Sequence, residues 1–79
     1  MENRIAILGI IVNDREASSA VNDLLHQYGA YIIGRMGIPH QEVGSIITIV
    51  LSCPVDVINA LSGKLGRLQN VQVKSMMAK

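Results

Sequence analysis

Apolar residues along this chain recur with two periods, and the switches between them mark out its elements. Arg4 to Val12 (RIAILGIIV) is apolar at nearly every position and rich in Ile and Val. A strand apolar on both sides belongs in the middle of a sheet covered on both sides. Asn13-Asp14-Arg15-Glu16 follows as a helix start, with Asn13 or Asp14 placed to cap. Glu16 stands three residues after Asn13, the spacing of a capping box. Ala17, Ala20, Val21, Leu24, Leu25 and Tyr28 then fall at i, i+3, i+4, i+7, i+8 and i+11, the stripe of an amphipathic helix. Gly29 is expected to end that helix in the left-handed conformation.

A second strand is predicted from about Tyr31 to Met36, running into a loop of Gly37-Ile38-Pro39-His40 that Gly44 closes. Ser45 to Ser52 (SIITIVLS) is a third strand. Ile47, Ile49 and Leu51 form its wholly apolar face, and Ile46, Thr48, Val50 and Ser52 a mixed one. Pro54 suits the first turn of a second helix, carried by Ile58, Leu61, Leu65 and Leu68. Gly66 is expected to terminate it, with Leu68 folding back as its apolar contact. Val71 and Val73 then alternate with Gln72 and Lys74 in a last, more polar strand.

The order β-α-β-β-α-β is that of the split βαβ or ferredoxin-like fold, an α+β architecture. It predicts a four-stranded antiparallel sheet with both helices on one face. The first and third strands are expected at its centre, and Arg35 and Lys74 on its edges, where charge blunts unwanted pairing.

At 79 residues the chain is read as one domain over 1–79, small enough that its core must be used efficiently. Half of it (49%) is hydrophobic, with Tyr28 and Tyr31 the only aromatics. The lone Cys53 rules out an intrachain disulfide and suits a reducing, cytoplasmic setting. Ile5 to Val12 imitates the apolar part of a signal peptide, but Asn13-Asp14-Arg15-Glu16 is a poor approach to a cleavage site. No apolar run is long enough for a bilayer-spanning helix, so a soluble protein without membrane association is expected.

Two helices on one face leave the other face of the sheet uncovered. The first strand has no polar side to offer: Ile5, Ile7 and Ile11 occupy one, Ala6, Leu8, Ile10 and Val12 the other. The expected interface comprises Ala6, Leu8 and Ile10, with Ile46 and Val50 beside them. Wetting about five large aliphatics in a monomer, at roughly 1.5–3 kcal/mol each, amounts to on the order of 10 kcal/mol gross. Such a patch marks an interface, so a homodimer or homotetramer is predicted.

The residues that suggest chemistry have plainer explanations. The run 61-LSGKLGRL-68 resembles a phosphate loop, but a Walker loop needs Gly five residues before Gly63, where Ile58 stands, and opens a helix rather than closing one. Lys64 and Arg67 complement the negative end of the helix dipole. Net charge is +1; residues 1–56 hold three of the seven Lys and Arg and all six acids, whereas 57–79 hold four basic side chains and no acid. That basic end (Lys64, Arg67, Lys74, Lys79) reads as solvated surface, and the central strands lack the aromatics on which RNA bases stack. Direct nucleic-acid binding is therefore not expected. No serine is spaced with His26 or His40 as a catalytic group requires, so no enzymatic activity and no cofactor are predicted. Among metal ligands, His40 and Cys53 meeting across subunits form the alternative, against the plain reading of a buried Cys53 with His26 and His40 at the surface. Small-molecule binding remains. Its candidate residues are Asn13, Asp14 and Arg15 in the first loop, with Gly34, Arg35 and Gly37 in 34-GRMGIPH-40. There two glycines permit close backbone approach and Arg35 offers a planar cationic fork. Gly34 and Gly37 also suit a bulge or turn.

Taken together, the NDRE helix start, IIGRMGIP and ALSGKLGRL before the last strand resemble the iron-only hydrogenase system regulators. That family is similar to ACT effector domains and to the nickel-binding domain of nickel-responsive regulators. The resemblance implies an ACT-like ferredoxin fold, assembly through sheets and a regulatory role, in which a small effector is sensed at subunit interfaces or the module docks onto a partner protein. The chain departs from ACT domains in its acidic, crowded first loop, and from the nickel regulators in lacking their histidines and their DNA-binding domain.

Overall fold

The computed structural model describes residues 2–42 and 44–78. Lys79, counted above with the basic end, lies outside them. The elements run β1 (Arg4–Val12), α1 (Ala17–Gln27), a 3-10 turn (Gly29–Tyr31), β2 (Ile32–His40), β3 (Gly44–Cys53), α2 (Val55–Gly66) and β4 (Val71–Met77). The strands form one antiparallel sheet in the order β2-β3-β1-β4. The two apolar strands are central and Arg35 and Lys74 lie on the edges, as the pattern predicted.

One parity of the central strands supplies the core. Ala6, Leu8, Ile10 and Val12 of β1 and Ile47, Ile49, Leu51 and Cys53 of β3 are buried with Val21 and Leu25 of α1 and Ile58, Leu61 and Leu65 of α2. Every buried residue of these two strands shares one face, which places both helices on that side. The expected interface therefore needs correction. Ala6, Leu8 and Ile10 are at most 1% exposed beneath the helices, and the open side of β1 is Ile5, Ile7, Gly9 and Ile11. The cause is register: Leu8 pairs with Ile49 and Ile10 with Ile47, on the Ile47-Ile49-Leu51 face of β3. Ile7 and Ile11 pair with Val50 and Ile46, so those two β3 residues do stand half-buried on the open face.

The turns differ from expectation in instructive ways. Gly29 does not adopt the left-handed conformation; it opens the 3-10 turn, and α1 ends with Tyr28 at φ −98°. α2 does end at Gly66, but the left-handed residue of the following turn is Asn70, at φ +63°. Asn tolerates that conformation better than most side chains. Pro54 is the N-cap rather than a first-turn residue, its carbonyl accepting the N–H groups of Val57 and Ile58. β2 runs through the expected loop to His40, pairing Pro39 with Ser45; an edge strand tolerates the missing N–H. Gly44 is required where it stands: its φ is +91° and a Cβ there would lie 2.7 Å from the Val12 carbonyl oxygen.

Candidate functional site

Two surfaces stand out, and one irregularity in β2 decides what belongs to each. Ile32 pairs with Leu51 and Gly34 with Val50, so Ile33 is an extra residue, a β-bulge. Beyond it the alternation is shifted by one. Arg35, Gly37 and Pro39 pair with Ile49, Ile47 and Ser45 and share the helix side, while Gly34, Met36 and Ile38 share the open side.

On the helix side this shift builds a cleft. Arg15, Ser18 and Asn22 are spaced i, i+3, i+7 and form a polar stripe on one flank of α1, beginning just before its first residue. Facing them are Arg35, Gly37 and Pro39 on β2, with Ser45 of β3 between. Two adjoining hollows of about 510 and 210 Å³ result, sharing Ser18, Pro39 and Ser45. Arg15 borders the larger and Arg35 the smaller. The Arg35 Nη2 donates to Asn22 Oδ1 at 2.8 Å, which holds the guanidinium against α1 with further N–H groups free. Gly37 leaves the cleft open, since a Cβ there would meet nothing within 4 Å.

The six candidate effector residues are thus divided. Arg15, Arg35 and Gly37 come together in the cleft. Asn13 and Asp14 turn the other way: the Asn13 N–H donates to the Asn70 carbonyl at 2.7 Å, and Asn70 Nδ2 to Asp14 Oδ2 at 3.5 Å. Asp14 Oδ1 accepts the Glu16 N–H at 3.1 Å, a local turn in place of the expected capping box, as α1 has no side-chain cap. Gly34, at the bulge, lies on the opposite side over Val50. The sequence reading missed Ser18, Asn22 and Ser45, although the i, i+3, i+7 polar stripe beside the apolar one was a visible signal.

His40 and Cys53 are far apart within one chain. His40 pairs with Gly44 at one end of β3 and Cys53 ends the other, about 30 Å away at the rise of an extended strand. The His40 Nδ1 accepts the Glu42 N–H at 3.2 Å. Cys53 is in the core, where burial, with a lesser contribution from the Asp56 carboxylate, pushes the thiol pKa up and disfavours the metal-binding thiolate. Among the described residues no group of three or more His, Cys, Asp or Glu could hold a metal ion.

The open face is the second surface. Ile5, Ile7 and Ile11 of β1, Met36 and Ile38 of β2 and Met76 of β4 are between 36% and 64% exposed there, around half-buried Ile46 and Val50. Gly9 leaves a hollow near the centre, bordered by Ile11, Ile46, Gln72 and Lys74. No helix among the described residues is long and apolar enough to cross a membrane.

Comparison with known proteins agrees with this architecture. The family model described as "TM1266-like: Iron-only hydrogenase system regulator, putative" matches residues 4–75. The chain belongs to this family. The solved structure of the uncharacterized protein TM1266 from Thermotoga maritima is 46% identical, with a TM-score of 0.94, covering 99% of this chain and all of that one. The chain also shares its fold with CPII from Thiomonas intermedia K12, solved with ADP, AMP and acetate. There identity is 15% and the TM-score 0.52, over 99% of this chain and 90% of that one. A comparison with curated proteins gives no match. By its family's description the chain is a regulatory module.

Proposed function

We propose that this regulatory module is non-catalytic and cytoplasmic, works as a homodimer or as a homotetramer built from it, and senses a small effector. The observation that carries the reading is the apolar open face of the sheet. Its occupant is a second copy of the chain. Within the strands the register puts one Lys or Arg on this face, Lys74, and no Asp or Glu, so a charged partner finds little to pair with. Four strands at about 4.8 Å spacing and about 30 Å length present on the order of 600 Å² per copy. Two such faces approach the lower end of stable interfaces, about 1,200 Å² in total.

β2 links assembly to sensing. Met36 and Ile38 face the partner copy, and Arg35 and Gly37, alternating with them, face the cleft. A ligand that orders this edge strand changes the surface offered to the partner, giving the differential affinity that coupling requires. The family description supports an iron-only hydrogenase system as the regulated target, through the effector or by docking on a partner protein.

Sedimentation velocity over a dilution series, paired with thermal shift against amino acids, adenine nucleotides and divalent metals, tests the proposal. A dimer or tetramer whose melting rises with at least one ligand is expected. A single copy at every concentration, with no shift across the panel, would overturn it.

A further inference from the structure

The cleft between α1 and β2 has a character that the sensing role alone does not specify. We infer that it is a binding site for a small anionic molecule, recognised through a carboxylate or phosphate group held between Arg15 and Arg35. This deepens the effector reading above and rests on it.

The argument starts from charge. Arg15 lies one turn before Ser18 and two before Asn22, at the start of α1, and Arg35 reaches the same flank from β2. Arg15 and Arg35 therefore border one groove, and among the described residues no Asp or Glu lines either of its hollows. Like charges beside one groove repel, and an anion between them relieves that repulsion. Arg35 is held onto α1 by its 2.8 Å bond to Asn22. Asn22 offers a neutral oxygen, so it orients the guanidinium without neutralising it. A fork fixed in this way suits the paired oxygens of a carboxylate or phosphate.

The neutral lining fits the same ligand. Ser18 and Ser45 bring hydroxyls that can donate to anionic oxygens, and both are half-buried at the junction of the two hollows. The floor is Gly37. Its backbone is not in the left-handed region and a Cβ has free space around it, so the fold does not demand glycine there. The absent side chain keeps the smaller hollow open, and the hollow of about 510 Å³ that adjoins it has the size of a metabolite site.

The test uses the full chain labelled with nitrogen-15, titrated separately with inorganic phosphate and with succinate at constant ionic strength. Saturable amide shifts confined to residues 15–22, 35–38 and 45 are expected with at least one of them, and the arm that saturates more tightly identifies the oxyanion. Arg35→Gln and Arg15→Gln should each weaken that binding about ten-fold or more, the scale of one charge-assisted hydrogen bond. Gly37→Val fills the floor with a residue favoured in strands. It should abolish binding while the remaining spectrum and the sedimentation coefficient stay unchanged. Shifts that do not saturate, that map elsewhere, or that survive Gly37→Val would overturn the inference. If the protein still assembles and melts higher with an uncharged ligand, the anion site alone has failed and the module reading stands.

Discussion

Both sides of β1 are built from the same kind of residue, yet they have opposite environments. Leu8 and Ile10 are sealed beneath the helices, at most 1% exposed, while Ile5, Ile7 and Ile11 on the reverse are 36–42% exposed. Hydrophobicity alone did not choose between them. The choice was made by β3, whose one face carries Ile47, Ile49 and Leu51 in a row and whose other carries Thr48 and Ser52, and by the register that lays β1 against it. Where a central strand is apolar throughout, its neighbours set which side becomes core.

The contrast can be tested by substitution, beginning with the core. Leu8→Ala should lower unfolding stability by about 3 kcal/mol, the usual loss for a fully buried leucine, at every protein concentration. Chemical denaturation measures this directly; a loss below about 1 kcal/mol would mean that the helix-covered side is loosely packed. On the other side, Ile7→Glu should leave the circular dichroism of the folded chain intact and weaken self-association by about 2 kcal/mol, roughly thirty-fold. Sedimentation that matches the unmodified chain would remove the open face from the interface.

The smallest effect sharpens the comparison through pH. Burial first, and Asp56 second, raise the Cys53 thiol pKa in the folded chain. A folded value above the unfolded one means that the neutral thiol's contribution is complete below the unfolded pKa of about 8.5. It is lost as pH rises through the folded value. The denaturation midpoint should therefore fall in alkaline solution more for the unmodified chain than for Cys53→Ala. Parallel pH profiles would show that the thiol is not held in the core.

The topology was legible because each element carried its own period. The α1 stripe from Ala17 to Tyr28 and the aliphatic face Ile47-Ile49-Leu51 both packed as their spacing required. The faces of β1 were harder to read, since alternation carries no information when both parities are apolar; only Gly9, interrupting the Ile5-Ile7-Ile11 row, hinted at the open side. For the site, Arg15, Arg35 and Gly37 were found as types but not as a set. Their convergence depends on α1 lying along β2, a tertiary fact. Asn13 and Asp14 were drawn away by Asn70, more than fifty residues on, which no local spacing discloses.

Ile33 makes the outer strand one residue longer than the stretch it accompanies, and that slack acts as a reading frame for everything after it. A plain ladder that paired Ile33 with Val50 would instead turn Arg35 to the open face and press Met36 and Ile38 into the polar groove. A slip of one pairing would thus exchange the chemistry of two surfaces without altering any of the residues that compose them.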